Sequence, residues 1–123
     1  VYVILNLKLL TTIHKYFMQH LDNIKGKEIV PGYFGRFVHG DHITLSIVDI
    51  KKGSPLPEHK HPHEQVTFVV EGELEMVIGG EKMVLTAGSV HVIPGNVPHS
   101  AVALTDCRVL DAFNPVREDY RVD

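Results

Sequence analysis

Gly53-Ser54-Pro55-Leu56-Pro57-Glu58-His59-Lys60-His61-Pro62-His63-Glu64-Gln65 runs on through Val66-Thr67-Phe68-Val69-Val70-Glu71 to Gly72, and the reading of this stretch decides the fold. His59 and His61 are two apart, so in extended backbone both side chains leave the same face. Lys60 then points away, as suits a charge. Gln65 shares their parity and opens the apolar run Val66 to Val70. The three can therefore look into one cavity if strand pairing is regular. Of the nine histidines in the chain, three stand within five residues at His59, His61 and His63, and histidine is the commonest metal ligand. A fourth ligand has to come from elsewhere. His99 is the natural candidate, because Pro94-Gly95-Asn96-Val97-Pro98 is a rigid turn that delivers it to the start of a strand.

Around this stretch the chain is written in short β-branched runs separated by turn residues. Phe34 to His39 and Ile43 to Ile50 are divided by Gly40-Asp41. Val66 to Val70 stops at Glu71-Gly72, and Leu74 to Ile78 stops at Gly79-Gly80. Met83 to Leu85, Val90 to Ile93, Ser100 to Leu104 and Cys107 to Phe113 complete the series. Strands this short, with turns this frequent, predict an all-β sandwich or barrel. Gly79-Gly80 between two apolar runs is the signal of a two-residue hairpin. No long helical stretch separates the strands, which argues against a parallel α/β sheet.

Two segments carry a family resemblance. Gly53, five residues, His59-Lys60-His61, three residues, Gln65, six residues and Gly72 resemble the first motif of the cupins, with Gln65 where the pattern has Glu. Gly88, five residues, Pro94-Gly95-Asn96, two residues and His99 resemble the second, with Asn96 in place of a Gly and Ala103 in place of an Asn. Asn tolerates positive φ better than most residues, so the turn survives at Asn96. The resemblance covers roughly residues 40–114. It implies the cupin double-stranded β-helix, a jelly-roll barrel, and a single divalent metal ion held by His59, His61, Gln65 and His99. Zn, Ni, Mn, Fe and Co all accept imidazole and amide oxygen. Because Gln65 is a neutral ligand, the ion keeps its full charge. That favours polarising a substrate oxygen over activating dioxygen. His63 either joins the ion, orients a ligand or faces solvent; the rim is the preferred place for it. His91 is read as structural. His14, His20, His39 and His42 lie outside both motifs and receive no role.

The last strand runs Cys107-Arg108-Val109-Leu110-Asp111-Ala112-Phe113, followed by Asn114-Pro115-Val116-Arg117-Glu118-Asp119-Tyr120. An aspartate amid apolar neighbours is costly if buried without a partner. Asp111 therefore either pairs with Arg117 at the strand end or serves a site. The stretch Leu110 to Tyr120, behind His61-Pro62-His63-Glu64-Gln65 and Val97-Pro98-His99-Ser100, is similar to the small cupins of pectin and alginate breakdown. Those proteins open the ring of 4,5-unsaturated uronates to a linear keto acid. The resemblance implies Asp111 as general acid and base, Arg117 as a two-pronged clamp on the substrate carboxylate, and Phe113 as a cover that excludes water. Two other functions stay open on the same barrel: a metal-dependent dioxygenase or related oxidoreductase, and a non-catalytic sugar-binding module.

The remaining features set bounds. At 123 residues there is room for one domain with a core. Hydrophobic residues make up 44%, within the globular range. The net charge of −3, with no basic block, argues against nucleic acid or an anionic membrane as partner and leaves a small-molecule substrate. Leu10, Ile13, Phe17, Leu21 and Ile24 recur at helical spacing, which predicts a short helix over about 11–22 capped at Gly26. Residues 1–26 are accordingly expected to be an N-terminal extension and 27–123 the barrel. One short helix cannot supply a helix-turn-helix. The chain opens with Val1 and Met18 lies inside this stretch, so residues 1–17 are given no function. The apolar run Val1 to Leu10 is too short to span a bilayer and lacks a basic leader. With the single cysteine Cys107, the expectation is a cytoplasmic protein. Small cupins commonly pair, so a homodimer is expected.

Overall fold

A computed structural model describes residues 18–122. Ten strands follow in order: β1 (Gly26–Val30), β2 (Tyr33–His39), β3 (Thr44–Ile50), β4 (Pro55–His59), β5 (Glu64–Glu71), β6 (Glu73–Ile78), β7 (Glu81–Thr86), β8 (Val90–Ile93), β9 (His99–Ala103) and β10 (Cys107–Asn114). They form two antiparallel sheets, one ordered β1-β2-β3-β10-β5-β8 and the other β4-β9-β6-β7. Single 3-10 turns lie at Leu21–Asn23 and Glu118–Tyr120. The all-β jelly-roll reading holds. Most of the predicted helix over 11–22 falls on residues outside those described. Its described end is only the 3-10 turn, and Gly26 does not cap a helix but opens β1. No helix among the described residues is long and apolar enough to cross a membrane.

The predicted hairpin is present. Ile78 pairs with Glu81 across Gly79 and Gly80, whose φ angles are 57° and 83°. Two successive positive φ values give the turn twist that matches paired strands, and glycine reaches them without a Cβ clash. Two strands had no counterpart in the sequence reading. β1, Gly-Lys-Glu-Ile-Val, carries charge, and β4, Pro-Leu-Pro-Glu-His, carries two prolines. Both lie at sheet edges, where a missing N–H or an outward charge costs no ladder bond.

The inner face of the six-stranded sheet is ordered in rows. Val109 of β10 sits between Val48 of β3 and Val69 of β5. One step along, Asp111 sits between Ser46 and Thr67; one step further, Phe113 sits between Thr44 and Gln65. The barrel interior is thus apolar at one end and polar at the other. At the apolar end, Tyr33, Ile50, Leu74, Met76, Ala103 and Val109 are buried together as core.

Candidate metal centre and active site

His59 ends β4, and His99 opens β9 directly opposite it in the four-stranded sheet. Gln65 is the second residue of β5 in the six-stranded sheet. The chain crosses from one sheet to the other between His59 and Glu64, and His61 stands in that crossing. The structure brings the residues of the expected ligand set together, but not for the reason expected from the sequence. They converge by facing each other across the barrel, not by sharing the face of a single strand. The turn that delivers His99 is locked to the crossing. Asn96 takes φ 62°, and its amide donates to the His61 carbonyl at 2.7 Å. A Cβ on Gly95 would stand 2.5 Å from the Pro62 carbonyl oxygen, so only glycine lets the two segments approach this closely.

Nitrogens of His59, His61 and His99 lie within 4.8 Å of one another. Each ring binds a backbone carbonyl through Nδ1: His59 to Pro57 at 2.9 Å, His61 to His63 at 3.1 Å and His99 to Val97 at 2.8 Å. A carbonyl only accepts, so each Nδ1 carries the proton and each Nε2 is left with a bare lone pair. His99 is 2% exposed, and its Nε2 has no hydrogen-bond partner. The Gln65 amide donates to Thr67 Oγ1 at 2.9 Å and to Asp111 Oδ1 at 3.1 Å, which turns its Oε1 toward His61 Nε2, 3.1 Å away. Two lone pairs face each other there. That spacing is close to what two adjacent ligands of one ion, each about 2.1 Å from it, would show. The donor set fits a divalent metal. Burial, with the nearby Arg117 charge, pushes the His61 pKa down to about 4; burial also lowers that of His99. Both rings are therefore held neutral, the form that ligates metal.

These side chains share a cavity of about 280 Å³ with Asp111, Phe113 and Arg117. Asp111 does not pair with Arg117. Its Oδ1 accepts from Thr67 Oγ1 at 2.7 Å and from Gln65. Burial raises its pKa, opposed by the hydrogen bonds from Thr67 and Gln65. Arg117, only 6% exposed, is held at both prongs by Asp119: Nε to Oδ1 at 2.9 Å and Nη2 to Oδ2 at 2.7 Å. Its guanidinium lies 3.9 Å from the Tyr120 ring centroid and 4.7 Å from that of Phe113. His63 stacks edge-on against His61 and Phe113 and stands outside the three-imidazole cluster. His91 is half-buried on β8, its Cα paired with that of Thr67.

A family model described as a cupin domain matches residues 46–113, more than half of the chain. This chain is a cupin. The pectin degradation protein KdgF of Dickeya dadantii (strain 3937) is 37% identical over 82 residues, which span 65% of this cupin and 74% of that protein. The solved structure of KdgF from Halomonas sp. superposes with a TM-score of 0.76 at 30% identity, covering 84% of this chain and 98% of that one. An RmlC-like cupin from Shewanella frigidimarina gives 0.80 at 30% identity, covering 85% and 95%.

Sequence reasoning missed Thr67, Ser46, Asp119 and Tyr120. The first two carried a usable signal. Thr44 and Ser46 share the parity of Val48 and Ile50, and Gln65 and Thr67 that of Val69. Polar residues at one end of an otherwise apolar inner face mark where a core gives way to a site.

Proposed function

We propose that this cupin opens the ring of a 4,5-unsaturated uronate to the linear keto acid. The observation that carries the reading is one cavity holding a bare-nitrogen trio, a half-buried carboxylate at Asp111 and a buried guanidinium at Arg117. The likeness to the two KdgF proteins supports it. A single Zn, Ni, Mn, Fe or Co ion bound by His59, His61, His99 and Gln65 would supply polarisation of the sugar's oxygens.

The reaction is an isomerisation and is balanced in protons. One proton leaves the anomeric hydroxyl, the C–O bond of the ring breaks, and one proton arrives at C4 of the resulting enol. A single carboxyl group can take the first and return the second. Asp111 fits that role, because burial raises its pKa toward the working range of a general acid and base. Thr67 and Gln65 both donate to Oδ1, which fixes the carboxylate plane. Oδ2 is therefore the oxygen we assign to proton transfer. Arg117 supplies the positive charge that draws a carboxylate-bearing sugar into the cavity. Phe113 covers the site from the next row of β10 and excludes water.

The test follows the ultraviolet absorbance of the conjugated double bond. Metal-loaded protein should speed its loss over the spontaneous rate. Asp111→Asn should keep fold and metal but lose roughly 10²-fold or more in turnover. Wild-type protein that leaves the unsaturated uronate untouched would refute the function. A fully active Asp111→Asn would refute only the assignment of the proton carrier.

A further inference from the structure

We infer that Asp119 is an internal stand-in for the substrate's carboxylate and gates entry to the Arg117 fork. The inference rests on the cavity being the seat of a carboxylate-bearing ligand. It also corrects the simplest picture of Arg117, an open fork waiting for substrate. The fork is already filled, by two parallel hydrogen bonds of 2.9 and 2.7 Å to one carboxylate. That is the geometry a bound uronate carboxylate would need for itself.

The two partners differ in a way that makes exchange feasible. The Arg117 side chain is 7% exposed, and that of Asp119 58%. A buried guanidinium without a counter-charge is strongly unfavourable, so the fork stays filled when no substrate is present. Asp119 loses little on release, because most of its side chain already meets water. Its backbone need not move: the Asp119 carbonyl is tethered to Lys27 Nζ of β1 at 2.9 Å, and a change of side-chain rotamer alone vacates the fork. Arg117 meanwhile keeps its place through stacking on Tyr120 and Phe113, and its own amide donates to Thr44 Oγ1 at 2.9 Å. Both Arg117 and Asp119 line the cavity that the three imidazoles share.

Specificity follows from exchanging like for like. An incoming carboxylate replaces the charge it displaces. A neutral sugar offers only hydroxyls and would leave Arg117 without a counter-charge. The gate therefore rejects neutral sugars by the penalty of an unpaired buried cation rather than by shape.

The experiment measures calorimetric binding of D-galacturonate, a non-reacting acid probe, and of D-galactose, its neutral counterpart. Metal-loaded wild type is compared with Asp119→Asn and Asp119→Ala. Removing the competing charge should tighten galacturonate binding several-fold in both variants and leave galactose weak. With unsaturated uronate as substrate, KM should fall by more than kcat does. If Asp119 merely holds Arg117 in place, galacturonate will bind more weakly to both variants, and the inference is overturned. Unchanged binding, or no binding in any form, overturns it too. Turnover of the unsaturated uronate by wild type is read separately, so losing the gate and losing the proposed function are distinct outcomes.

Discussion

At the scale of single residues, the site is a set of acceptors and donors whose roles the backbone dictates. Three backbone carbonyls fix three imidazole tautomers, and Gln65 is turned by Thr67 and Asp111. One consequence can be measured on metal-free protein. His61 is pushed down to about 4 in the fold, from an ordinary imidazole value of 6.5. Between those two values the unfolded chain binds the proton and the folded chain does not. Stability should thus be complete above about pH 6.5, decline as pH falls through that window, and gain no further penalty from this group below about pH 4. His99 shifts in the same direction. Denaturant midpoints of chelator-treated protein at about pH 7 and about pH 5 provide the measurement. Replacing His61 with Gln should flatten the slope, and an unaltered slope would show that the decline comes from elsewhere.

At the scale of elements, most strands were visible in the sequence because turn residues and β-branched runs alternate. Six of the runs read from the sequence lie wholly within strands β2, β5, β6, β7, β8 and β10. β1 and β4 were not visible, because edge strands are free to carry charges and prolines that disguise them. That His59, His61 and His99 come together was legible from motif spacing, but not the reason they converge, since that depends on the chain changing sheets at His61. Asp119 and Tyr120 were illegible in principle. They follow the last strand, and only tertiary packing folds the 3-10 turn at Glu118–Tyr120 back over the mouth, with Tyr120 stacked on Phe37. The Pro94–Pro98 turn yields a prediction of its own. Asn96→Gly should be neutral or slightly stabilising, since Gly accepts φ 62° freely. Asn96→Val should cost about 1–2 kcal/mol for a β-branched residue at positive φ. Because the Asn96 amide also holds the His61 carbonyl, the Val variant should weaken metal retention beyond its loss in Tm. Equal Tm values for the two variants would contradict the strain argument.

At the scale of the whole molecule, the outer face of the six-stranded sheet is unusually apolar. Val38, Leu45, Ala112, Val66 and Val92 form one row across it, and Ile47, Leu110, Phe68 and Val90 most of the next. Phe68 is 37% exposed and Val90 62%. Apolar residues gathered in one exposed patch, rather than scattered singly, mark an interaction surface. Arginine–aspartate pairs flank it at Arg36, Asp49 and Arg108, and the homodimer expected from the sequence would use this face. Sedimentation should find a dimer. Phe68→Glu with Val90→Glu should convert it to a monomer that keeps its circular dichroism. A wild type that is monomeric at micromolar concentration would rule this face out as the interface.

The row pattern inside the barrel has a consequence for how such a protein can change over generations. On β3, β5 and β10, the residues of the apolar row and those of the polar row are the same kind of position, two residues apart on the same strand. Val48, Val69 and Val109 belong to the core, and Ser46, Thr67 and Asp111 line the polar end of the cavity. A substitution in the second set leaves the side chains of the first in place. One scaffold can therefore drift from reaction to reaction at a few inward positions near its mouth while its folding stays under separate selection.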